Sequence, residues 1–83
     1  MKYQLIILKK AQKDLKKVDP RYRSRILAAF IIIRQDPFCG KPLEGEWKGI
    51  WSYRVWPYRI LYEIHNDQLL IHVVKIGHRQ GVY

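Results

Sequence analysis

Apolar and polar positions repeat in three rhythms along the chain, and each rhythm predicts a different element. Tyr3-Gln4-Leu5-Ile6-Ile7-Leu8 is an apolar run of strand length, which predicts a first strand from Lys2 to Leu8. Both of its alternating faces are apolar beyond Gln4, so the expectation is a strand covered on both sides. From Lys9 to Lys17 the period lengthens. Ala11, Leu15 and Val18 are four and three apart, and Lys9, Lys13, Lys16 and Lys17 fall on the other side, the pattern of a short amphipathic helix with a basic outer face. Asp19-Pro20 then supplies a cap oxygen and a proline whose missing amide hydrogen costs nothing at the first helical position. Tyr22, Ile26, Ala29, Phe30 and Ile33 keep the helical period to about Gln35, and Asp36-Pro37 stops it, because a residue before proline avoids the helical region.

Beyond a loop from Phe38 to Lys48, punctuated by Gly40, Pro42 and Gly45, the rhythm changes to two. Trp51–Trp56, Tyr58–Ile64 and Gln68–Ile76 are rich in aromatic and β-branched residues and read as three strands of an antiparallel meander. Pro57 ends the first of these and His65-Asn66-Asp67 turns the second. The order is strand, helix, helix and three strands (β-α-α-β-β-β), an α+β fold with two consecutive N-terminal helices packed on an antiparallel sheet.

Strand parity now places charge. If the first hairpin closes through Trp56 and Pro57, Arg54 lies directly opposite Arg59; if it closes through Pro57 and Tyr58, the two are diagonal neighbours about 7–8 Å apart on one face. Like charges facing each other across a ladder destabilise it, and an anion between two permanently charged planar forks resolves the conflict. The plainer alternative is two solvated arginines on an exposed face.

Composition narrows the partner. Sixteen Lys and Arg against seven Asp and Glu give a formal charge of +9 in 83 residues, a surface suited to nucleic acid or to an acidic protein. The length fits a single domain with a modest core. No apolar run of spanning length, basic amphipathic helix with an exposed apolar face or signal peptide points to a membrane. The single cysteine, Cys39, has no CxxC partner and fits a reducing cytoplasm as an incidental thiol. His65, His72 and His78 show no HxH, HxxxH or CxxC spacing, so no metal site is predicted, and no GxGxxG, Walker-type loop or GxSxG supports a nucleotide cofactor or a serine nucleophile. Glu44 and Glu46 sit on a glycine-rich loop and read as a solvated turn. What remains is a set of cations with one phenol: Arg54, Arg59 and Arg79, with Tyr83 four residues further on. Three guanidinium groups and a tyrosine in one cleft suit a phosphodiester and the charge that builds as it is cleaved.

The spacing Leu43-x-Gly45, then Tyr53-Arg54-Val55, Tyr58-Arg59-Ile60-Leu61-Tyr62 and Ile76-Gly77-His78-Arg79 with Val82-Tyr83 resembles the RelE/ParE toxin superfamily, and within it the RelE-like mRNA endonucleases. Ala11, Asp14 and Leu15, with Asp36-Pro37, extend the resemblance over nearly the whole chain, so residues 1–83 are expected to form one RelE-like toxin domain. The resemblance implies a ribosome-dependent, metal-independent enzyme without cofactor that cuts mRNA in the ribosomal A site and is held inactive by an acidic antitoxin. Arg59 and Arg79 match the family's phosphate-binding and transition-state arginines, and Arg54 a basic residue on the preceding strand. Tyr83 matches the tyrosine expected to take the proton of the attacking ribose hydroxyl, with His78 the second candidate for acid or base. Cleavage would leave a cyclic or 3′ phosphate and a free 5′-hydroxyl. Lys9, Lys13, Lys16 and Lys48, with His78, form the expected RNA-binding set. Two positions depart from the pattern: Ser52, where such toxins usually carry a basic residue, and Trp56-Pro57, where a Gly-Asp turn is usual. A ParE-type inhibitor of DNA gyrase and a non-catalytic RNA-binding module are the other readings.

Overall fold

Two helices cover one face of a five-stranded sheet in the computed structural model of the chain, which describes residues 3–78. Strand β1 (Gln4–Ile7) leads directly into helix α1 (Lys9–Lys17), and α2 (Pro20–Gln35) follows after two residues. A one-turn helix at Pro37–Cys39 precedes β2 (Lys41–Pro42), another at Gly45–Trp47 precedes β3 (Trp51–Val55), and β4 (Tyr58–His65) and β5 (Leu70–His78) complete the sheet. The spatial order is β1-β5-β4-β3-β2.

Helix α2 has the predicted ends. The Asp19 side chain accepts from the Arg21 amide at 2.9 Å, and the Arg21 guanidinium beside it holds the Asp19 carboxyl below the usual carboxylate range. At the far end the Asp36 side chain accepts from Phe38 N at 3.2 Å, starting the next turn as the helix stops. Ile26, Ala29, Phe30 and Ile33 form its inner stripe and meet Ala11 and Val18 of the α1 region and Ile60, Tyr62, Ile71, Val73 and Ile76 of the sheet. Fully burying each such isoleucine stabilises the fold by about 1.5–3 kcal/mol.

The α+β class, the helix pair and the meander are as expected from the sequence. Three finer expectations are corrected. First, β1 runs parallel to β5, with Gln4 beside Leu70 and Ile7 beside Val73, so the sheet is mixed rather than antiparallel throughout. No hairpin links these two strands; the direction of β1 is set by the helix layer it feeds. Second, β1 is an edge strand with one covered face: Ile6 is 38% exposed, while Leu5 and Ile7 pack against the core. Third, the loop after α2 contains the short strand β2, which pairs antiparallel with β3 and lies on the other edge, where a proline is tolerated.

The end of β5 is tied to α1. β1 accompanies β5 only as far as Val73, and beyond it the buried Asp14 carboxylate accepts from the Ile76 amide at 3.1 Å and pairs with Lys10 Nζ. A side chain thus satisfies a donor that the short edge strand does not reach. No helix among the described residues is long and apolar enough to cross a membrane.

Candidate functional site

The sheet face opposite the helices carries the charge. Its organisation follows from register. β3 and β4 are joined by Trp56 and Pro57 alone, so Val55 pairs with Tyr58 and Arg54 pairs directly with Arg59. Directly opposed residues have Cβ atoms about 4.5–5.5 Å apart and point to the same face. Ile60 and Tyr62 point into the helix-covered core, so by alternation Arg59 and Leu61 point away from it.

Two rows of side chains cross this face. One contains Arg54, Arg59 and Gly77, the last contributing no side chain. The adjacent row contains Lys41, Ser52, Leu61 and Lys75. Lys41, Ser52, Arg54 and Arg59 line a depression of about 120 Å³, large enough for a phosphate group with its ester oxygens. Ser52 is buried at its base, whereas Lys41 and Arg54 are exposed at its rim.

Lys41 is the residue that sequence reasoning missed. Ser52 stands where the family pattern carries a cation, and Lys41 is directly opposite it on β2. Lys41 brings a positive charge beside Ser52 from the neighbouring strand. A two-residue strand containing a proline gives no periodic signal, so the pairing that brings Lys41 here cannot be read from the pattern alone.

The other expected residues among those described lie elsewhere. Lys9, Lys13 and Lys16 are exposed on α1, in the layer covering the opposite sheet face. Lys16 lines, with Leu15 and Arg23, a separate depression of about 340 Å³. Lys48 is exposed in the connection between β2 and β3. His78 pairs with Tyr58 rather than with Arg59, and the two rings meet edge-on at 5.8 Å. Parity therefore turns His78 away from the Arg54–Arg59 face, and it lines a third depression with Asp14, Lys17 and Tyr58. Arg79 and Tyr83 lie outside the described residues.

Two further groups bear on chemistry. The Cys39 thiol is pushed above its ordinary range, by desolvation first and by the nearby Asp36 second, which disfavours a reactive thiolate. Glu63, His65 and His72 converge on the open face at the other end of β4, although their spacing along the chain carried no metal signature. The register that places Glu63 opposite His72 assembles them.

Comparison with known proteins agrees with this architecture. The sequence model of the ParE toxin of type II toxin–antitoxin systems matches residues 5–83. Toxin RelG of Mycobacterium tuberculosis is 32% identical over 85 residues, covering all of this chain and 98% of its own length. The crystal structure of the RelBE2 toxin–antitoxin complex from the same organism superposes with a TM-score of 0.87 at 31% identity, over 95% of this chain and all of the matched chain. The RelE–RelB complex of Pyrococcus horikoshii superposes with a TM-score of 0.82 at 23% identity, over 99% of this chain and all of the matched one, a likeness of fold.

Proposed function

The chain belongs to the RelE/ParE superfamily of type II toxin–antitoxin toxins, and from that premise we propose that it is a cytoplasmic endoribonuclease that cuts mRNA in the A site of the ribosome. The observation that carries this reading is the direct pairing of Arg54 with Arg59 on the sheet face opposite the helices, with Lys41 beside them.

Three cations gathered on one depression make an electrostatic trap for a phosphodiester. In the proposed reaction the ribose 2′-oxygen forms a bond to the adjacent phosphorus as the bond from phosphorus to the 5′-oxygen breaks. Negative charge grows on the non-bridging oxygens, and fixed guanidinium groups stabilise it more in the transition state than in the bound message. Arg59 is the phosphate clamp, Arg54 and Lys41 add charge at the rim, and Arg79 is expected to join them. Tyr83 is the proposed acceptor of the 2′-hydroxyl proton. The leaving 5′-oxygen takes up a proton, and a 2′,3′-cyclic phosphate and a 5′-hydroxyl result. Charge stabilisation by the arginines supplies what a metal ion would otherwise supply.

The proposed partner that silences the toxin is an acidic antitoxin; among the structures the chain resembles are complexes of a toxin with its antitoxin. The net charge of +9 favours an acidic chain, and Leu27 and Ile31, one turn apart and exposed on α2, offer it apolar contacts.

A translation extract tests the reading. The full chain is expected to cut a ribosome-bound message, Arg59→Ala to lose about 10²–10³ in rate, and the products to carry cyclic phosphate and 5′-hydroxyl ends. Intact message together with blocked gyrase supercoiling would establish the gyrase-inhibitor reading instead.

A further inference from the structure

The open sheet face carries a second group of side chains, four positions along β4 from Arg59 and therefore roughly 13 Å away. Glu63 is directly opposite His72 on β5, and His65 is two residues further along β4, so all three project from one surface. Glu63 Oε1 is 3.5 Å from His65 Nε2 and 3.8 Å from His72 Nδ1, and the two imidazole rings are 4.7 Å apart at an angle of 61°. One donor atom from each residue can be chosen so that all three lie within 4.8 Å of one another.

Ion pairing is a poor account of this arrangement. The carboxylate is 39% exposed, and pairs in such surroundings contribute little. Both contacts sit at or beyond the outer limit of hydrogen bonding. His65 Nε2 is removed from solvent and has no hydrogen-bond partner among the described residues. An imidazole nitrogen withdrawn from water and turned toward a carboxylate it does not hydrogen-bond is costly as it stands, and an ion between the two would satisfy both.

We infer that Glu63, His65 and His72 form a binding site for a first-row divalent transition metal, with Zn²⁺ the closest fit. Two imidazole nitrogens and one carboxylate oxygen are the donors such ions prefer, whereas Mg²⁺ and Ca²⁺ take oxygen. Around zinc, ligands at about 2.0–2.2 Å in tetrahedral array stand about 3.4 Å apart. The 3.5 and 3.8 Å separations are already near that value, and the longest needs to close by at most about 1.4 Å, within reach of side-chain rotation. All three residues are partly exposed, which leaves the fourth position open to water. The site bridges β4 and β5 across the turn at Asn66–Gln68. Its effect is to cross-link the end of that hairpin and stabilise the folded chain by binding it in preference to the unfolded one. It is remote from the guanidinium pair and rests on the sheet register alone, so it stands whether or not the chain cleaves RNA.

The test uses the full chain without an affinity tag and with Cys39→Ser, which removes the exposed thiol as a competing ligand. Calorimetric titration with Zn²⁺ in excess Mg²⁺ is expected to show one equivalent bound, with the thermal midpoint raised by about 4–8 °C at saturation. Co²⁺ should give the visible absorption of a four-coordinate site. His72→Asn and Glu63→Gln should each weaken Zn²⁺ binding roughly tenfold or more and abolish the midpoint shift, while His78→Asn leaves both unchanged. Absence of stoichiometric binding by the parent protein overturns the inference without recourse to any variant. Binding that survives intact in folded His72→Asn and Glu63→Gln overturns it as well.

Discussion

Lys41 and Ser52 show how a neighbouring strand can bring charge to a depression whose base is an uncharged side chain. The serine is short enough to lie buried at the base of the depression, and the lysine opposite reaches the same space from β2. If Lys41 replaces the missing cation, Lys41→Ala should lower the rate of message cleavage by about tenfold, less than Arg59→Ala because an ammonium is a single-point charge rather than a bidentate fork. Adding Ser52→Lys to Lys41→Ala should restore part of the loss. Single-turnover cleavage on programmed ribosomes measures both, and a Lys41→Ala protein with the parent's rate would remove Lys41 from the site. Tyr62 makes a second prediction at this scale. Its ring is fully buried and its hydroxyl donates to the Pro37 carbonyl at 2.7 Å, fastening the end of α2 to the sheet. Desolvation first, and the nearby Cys39 second, push this phenol well above its ordinary value of 10.0. The unfolded chain loses the proton near pH 10 while the folded chain keeps it, so the folded state binds more protons and stability falls as pH rises. Stability should therefore be flat for this group below about pH 10 and decline above it with an added slope of up to about 1.4 kcal/mol per pH unit. Urea unfolding across that range should show the slope in the parent and not in Tyr62→Phe, which loses about 1 kcal/mol at neutral pH.

Elements were legible to different degrees, for physical reasons. Helix α2 announced itself through Asp19-Pro20 and Asp36-Pro37, where caps and proline geometry act over two or three residues. The Arg54–Arg59 pairing was legible because a short hairpin leaves few registers, and Trp56-Pro57 selects one of the two even-length loops. Contacts between elements distant in sequence were not. The parallel docking of β1 on β5 depends on where the helix layer delivers the chain, β2 is too short to carry a period, and the Glu63–His65–His72 cluster exists only once β4 and β5 are in register. Asp14 belongs to the same class. The sequence marks it as part of the family resemblance but not as buried, yet it is 8% exposed and holds the Ile76 amide where β5 has lost its edge partner. Asp14→Ala should cost about 1.5–3 kcal/mol, since it strands a buried donor and removes a charged acceptor. Asp14→Asn should recover part of this by keeping an acceptor oxygen. Chemical denaturation would reveal the difference, and an Asp14→Ala protein as stable as the parent would mean that α1 is held by apolar packing alone.

At the scale of the whole molecule the positive charge is divided between two sides. Lys41, Arg54, Arg59 and Lys75 lie on the open sheet face, and Lys9, Lys13 and Lys16 lie on the helix layer that covers the other. A phosphate held between Arg54 and Arg59 is separated from the helix lysines by the thickness of the sheet, so the two groups cannot serve the same phosphodiester. If both touch RNA, the helix lysines bind ribosomal or flanking phosphates and speed association, while the sheet cations act on the scissile group. The roles separate by salt dependence. Replacing Lys9, Lys13 and Lys16 together with glutamine should weaken binding to programmed ribosomes and flatten the dependence of log affinity on log salt by up to about 2, at roughly 0.7 for each phosphate that is no longer neutralised. The cleavage rate at saturation should stay that of the parent. Arg59→Ala should do the reverse, with affinity reduced modestly and the bound-state rate falling by about 10²–10³. Association measured over a range of salt, together with single-turnover cleavage, resolves both quantities for each variant. A triple-lysine variant whose saturated rate collapses would place the helix face in the chemistry, and would require the message to lie over the edge of the sheet rather than on its open face.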